Sequence, residues 1–152
     1  MNLDSGRLVA INVQVAHASH LADPQYVERF FHRLIERINM KPLTAPMSIV
    51  VPPEQSNVND PHADDGGMTT QCIISTSHIA YHSWPLQRRF RLVVDSCKDY
   101  SAETVVKTLS EWFPVNALSV QDCRYERPEV LRETPEAETA KETSAGAQAH
   151  FS

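Results

Sequence analysis

Between Arg7 and Ala16, Val9, Ile11, Val13 and Val15 alternate with other residue types, the period of a strand that turns one face to a core. A short way on, the period changes. Asp23-Pro24 joins an N-cap acceptor to a proline suited to the first helical position. Val27, Phe30, Phe31, Leu34, Ile35 and Ile38 then recur at helical spacing. A one-faced strand followed closely by a striped helix must bury one against the other, so the chain is restricted to helices layered on a sheet.

The same alternation of periods returns further on. Pro42 and Pro46 close the helix, and Met47 to Val51 is a short apolar strand. Residues 52–67 are polar and end in Gly66-Gly67, which predicts a long loop of the kind that often carries function. Thr69 to Ser75 and His78 to Tyr81 read as strands with Ser77 at their junction, and Arg89 to Asp95 as another. Ser101 caps a predicted helix through Phe113, with Val105, Val106, Leu109, Trp112 and Phe113 inward, and Ala117 to Tyr125 returns as a strand. The predicted fold is α+β: a two-layer sandwich with helices on one face of a mainly antiparallel sheet, in two halves of similar layout about Ser77. Residues 1–127 form the predicted domain. From Pro128 to Ser152 apolar residues almost vanish, which predicts a disordered acidic tail.

Composition narrows the function classes. The chain of 152 residues suits one domain, and its net charge of −5 does not suit nucleic-acid binding. The short basic run Arg88-Arg89-Arg91 reads as a solvated strand edge. Cys72, Cys97 and Cys123 are odd in number and widely spaced, without zinc-ligand spacing, and His17, His20 and His62 suggest no metal constellation. The expectation is free thiols in a cytoplasmic protein with no membrane partner and no metal.

The chemistry-bearing residues crowd into one stretch. Ser77 is followed at unbroken offsets by His82, Trp84-Pro85 and Cys97, and preceded by Thr69. Taken singly, Cys97 reads as a small buried apolar residue, His82 as a hydrogen-bonded structural histidine, Trp84 as core and Ser77 as a turn residue. Taken together they resemble the self-processing segment of the prokaryotic S-adenosylmethionine decarboxylases: a glycine-rich turn, a strand, a Ser-His, a strand ending in His-x-Trp-Pro, then a cysteine. The resemblance covers roughly residues 6–126 in layout and is specific from Gly66 to Cys97.

That resemblance implies a mechanism and a role for each residue. Ser77 Oγ attacks the carbonyl of Thr76 and converts the peptide to an ester, an uphill shift that needs a polarised carbonyl. Elimination and hydrolysis then leave a pyruvoyl cofactor derived from Ser77. His82 and the hydroxyl of Thr69 assist processing, and histidine suits proton transfer near neutral pH. The substrate amine forms a Schiff base with the pyruvoyl group, which takes up the electrons left by CO2 loss. Cys97 returns the proton, and Trp84 and residue 86 belong to the substrate pocket. The implied enzyme is a carboxy-lyase and homodimer of processed chains, using residues from both subunits and supplying the aminopropyl donor for spermidine synthesis.

Several positions depart from the family pattern. Thr76 replaces a glutamate before the cleaved bond, Leu86 a glutamate expected to hold the ribose hydroxyls, Val93 an aspartate and Lys98 a glycine. Ala63 falls where the family stacks an aromatic on adenine. These changes leave two alternatives: a pyruvoyl-dependent decarboxylase of a simpler amino acid such as arginine or ornithine, or an unprocessed regulatory relative.

Overall fold

The computed structural model describes residues 5–52, 66–126 and Pro128. The predicted tail beyond Pro128 and most of the polar loop, with His62 and Ala63, lie outside the described residues. Six strands form one sheet in the order β2-β3-β4-β5-β1-β6: β1 (Ser5–Val15), β2 (Met47–Val51), β3 (Gly67–Ile74), β4 (Ser77–Trp84), β5 (Arg89–Ser96) and β6 (Val115–Glu126). Every pairing is antiparallel. Two helices, α1 (Pro24–Arg37) and α2 (Ala102–Trp112), complete the α+β sandwich and divide the chain at Ser77 as strand-helix-strands and strands-helix-strand.

Local chemistry fixes the helix ends. The Asp23 carboxylate accepts from Tyr26 N at 3.3 Å with Pro24 in the first turn, and Ser101 Oγ accepts from Thr104 N at 3.1 Å. Asn39 takes the left-handed conformation (φ 57°) just past α1, a common way to end a helix. The buried stripe of α1, Val27, Phe30, Phe31, Leu34 and Ile35, shares one core with Val9, Ile11, Val13 and Val15 of β1. Phe113 joins the layers, with ring centroids 5.2 Å from Phe30 and 4.6 Å from Phe90.

The register decides which side chains share the other face. On β4, Ile79, Tyr81 and Ser83 are buried towards the helices, while His78, Ala80, His82 and Trp84 alternate outward. His78 lies opposite Asp95 and Ile73, and His82 opposite Arg91 and Thr69. No described helix covers this face. β4 runs on to Trp84, past the Tyr81 expected from sequence, because its alternation continues through Ser83. β5 pairs with both β4 and β1, so Arg89 and Arg91 lie on an interior strand and not on the strand edge predicted for them.

Candidate active site

Ser75 and Thr76 form the two-residue turn between β3 and β4, whose flanking residues Ile74 and Ser77 pair. Hairpins this tight favour turns with positive φ at the first turn residue. Neither turn residue has one here, and the departure is taken up at Ser77, at φ 156°. Strict alternation would send the Ser77 side chain towards the helices with Ile79. Instead its Oγ lies 2.9 Å from Asp95 Oδ2 and 3.0 Å from His78 Nδ1, groups of the open face.

The end of β5 closes on the same turn. The main-chain N–H of Cys97 donates to the Thr76 carbonyl at 3.1 Å. Thr76 Oγ1 and Ser96 Oγ are 2.7 Å apart, and Ser96 Oγ accepts from Lys98 N at 2.9 Å. Cys97 is a free thiol, half-buried. The Thr76–Ser77 peptide thus has a hydrogen-bond donor on its carbonyl and a hydroxyl one residue on, held by an imidazole and a carboxylate. Asp95 is itself held: Tyr125 OH donates to Oδ1 at 2.9 Å, and that hydrogen bond, before any other cause, pushes the Tyr125 phenol up.

A second cluster sits at the far end of β4. Thr69 Oγ1 and His82 Nδ1 are 2.6 Å apart, and the His82 ring meets Trp84 edge-on at 4.5 Å. The Arg89 guanidinium lies over the Trp84 ring, 4.3 Å from its centroid. Leu86, in the short 3-10 turn Pro85–Gln87, is 77% exposed. Thr69, His82 and Trp84 are therefore brought together, and Ser77 with the main chain of Cys97. The two sets do not touch: five residues of strand at about 3.3 Å each separate Ser77 from His82 by roughly 16 Å.

The sequence profile of the S-adenosylmethionine decarboxylase family matches residues 7–125. The chain belongs to this family. Family membership makes it a carboxy-lyase of the adenosylmethionine decarboxylase type, in a family generally dependent on a pyruvoyl group. Its fold is that of the adenosylmethionine decarboxylase from Aquifex aeolicus VF5, at TM-score 0.62 and 17% identity over 86% of this chain and 97% of that one. No curated protein matches the chain.

Asp95, Tyr125 and the Cys97 N–H escaped the sequence reading. Asp95 carried one usable signal, a carboxylate two residues before Cys97 and directly after the apolar run Leu92-Val93-Val94. Tyr125 carried none, because its partner is thirty residues away in sequence. Among the described residues no three His, Cys, Asp or Glu side chains cluster as metal ligands, and no helix is long and apolar enough to cross a membrane.

Proposed function

We propose that the chain cleaves itself between Thr76 and Ser77, carries a pyruvoyl group derived from Ser77, and decarboxylates S-adenosylmethionine. The observation that carries this reading is the 3.1 Å hydrogen bond from the Cys97 N–H to the Thr76 carbonyl, next to a serine hydroxyl held in place. Attack by Ser77 Oγ puts negative charge on the Thr76 oxygen. A fixed donor already aimed at that oxygen stabilises the charge; one such donor is worth about 3 kcal/mol in other acyl transfers. These residues fit a serine-derived cofactor. Thr76 supplies a carbonyl for the ester as well as glutamate would, and its side chain is tied to Ser96, away from the bond.

The pyruvoyl group, once formed, supplies an electron sink for the carbanion left by CO2 loss. The chain's own groups do the rest. The half-buried Cys97 thiol returns the proton to the substrate carbon. His82, its Nδ1 fixed by Thr69, moves the proton needed for elimination. Trp84 lines the substrate pocket with Leu86.

Within one chain His82 is too far from Ser77 to act on it, which supports a homodimer. Both clusters occupy the open face of β4. Open faces meeting about a two-fold axis near the middle of that strand bring Thr69 and His82 of one protomer to Ser77 and Cys97 of the other. The product would serve as aminopropyl donor for spermidine synthesis in the cytoplasm. A simpler α-amino acid is the second substrate reading, favoured by Leu86, which cannot accept ribose hydroxyls. Borohydride treatment of the purified protein with S-adenosylmethionine, arginine or ornithine, read by mass, separates them. A stable adduct and CO2 release with S-adenosylmethionine support the reading; adducts with arginine or ornithine alone contradict its substrate.

A further inference from the structure

We propose that Asp95 is the base that takes the Ser77 hydroxyl proton in the first step of self-cleavage, with Tyr125 positioning it. This rests on the self-cleavage reading above. Ser77 Oγ carries one proton and faces two groups, Asp95 Oδ2 at 2.9 Å and His78 Nδ1 at 3.0 Å. A carboxylate only accepts, so the hydroxyl donates to Asp95 and His78 donates its Nδ1–H to Oγ. That pattern leaves an Oγ lone pair for the Thr76 carbonyl carbon and gives the proton a place to go. His82 of the same chain is bound to Thr69 at the other end of the strand, and the role given to it above is the later elimination, not the attack.

The carboxylate is held for this task. Its side chain is 20% exposed, and its second oxygen accepts from Tyr125 OH at 2.9 Å. Tyr125 reaches Asp95 by lying across β1 over Gly6, where a Cβ would come within 2.0 Å of the ring. Only glycine leaves that path open. The step balances within the chain. Asp95 takes the Oγ proton as the Oγ–C bond forms, and the Thr76 oxygen bears the charge beside the Cys97 N–H. Collapse breaks the C–N bond, and the proton passes from Asp95 to the Ser77 nitrogen.

The test follows cleavage of freshly refolded protein by denaturing mass spectrometry, with and without hydroxylamine, which cuts an ester but not an amide. Asp95→Asn should slow cleavage by about 10²-fold or more, and hydroxylamine should not restore it, because no ester forms. Formate should partly rescue Asp95→Ala. Tyr125→Phe should slow cleavage several-fold alone and add nothing in the Asp95→Asn background. If Asp95→Asn melts below the assay temperature, Tyr125→Phe decides by the same readout. Cleavage of folded Asp95→Asn within twofold of wild type would overturn the assignment. So would a hydroxylamine-labile form in that variant, since Asp95 would then act after ester formation. A wild-type chain that never cleaves would sink the self-cleavage reading itself.

Discussion

Replacing Leu86 with glutamate should raise kcat/KM for S-adenosylmethionine by roughly tenfold. Leu86 is 77% exposed at the tip of the β4–β5 turn, so its replacement removes almost no packing, and folding stability should move by less than about 0.5 kcal/mol. A carboxylate there could accept both ribose hydroxyls. Hydrogen bonds to a charged group contribute about 1.5 kcal/mol each, or about 3 kcal/mol for the pair. Ordering a free glutamate side chain costs about 1.5 kcal/mol. The net gain of about 1.5 kcal/mol corresponds to roughly tenfold. The assay is release of labelled CO2 from S-adenosylmethionine, with arginine and ornithine as controls that lack a ribose. Unchanged kcat/KM for S-adenosylmethionine, or an equal rise for arginine, would refute the view that residue 86 reads the nucleoside.

Cys97→Ala should still process, because the contact to the Thr76 carbonyl is a main-chain N–H, yet turnover by the processed enzyme should fall at least tenfold; intact mass and CO2 release measure the two effects separately. Tyr81→Phe removes the 2.7 Å hydrogen bond to the Leu21 carbonyl, with both residues buried, and should cost about 1–3 kcal/mol in urea unfolding while leaving cleavage intact. The hydrogen bond from Arg7 holds the Asp122 carboxyl below its usual range, so Asp122 favours the folded state above about pH 4 and loses that effect as pH falls through its folded value. The urea midpoint of wild type should therefore exceed that of Asp122→Asn at pH 6, and the difference should vanish in stronger acid.

The elements were legible because period and caps agreed with tertiary burial. Val9, Ile11, Val13 and Val15 alternate and all four are buried, and Asp23-Pro24 and Ser101 cap the helices their positions predict. The chemistry-bearing stretch was legible for a different reason: its residues have fixed offsets along one hairpin, and a family resemblance assigns them roles. What stayed hidden depends on register. Asp95 meets Ser77 only because β5 pairs with β4, and Tyr125 reaches Asp95 only across Gly6 of β1. The Cys97 contact is made by the main chain, which no side-chain pattern reports. The arginines of β5 misled for the same reason, since a basic run reads alike on an edge strand and on the solvated face of an interior one.

Intact mass of the purified protein under denaturing conditions shows whether the chain cuts itself before Ser77. Self-cleavage gives two fragments, Met1–Thr76 and a second that begins at residue 77 with a blocked pyruvoyl end. A single full-length mass, unchanged after long incubation, would contradict it and leave a binding or regulatory relative of the family.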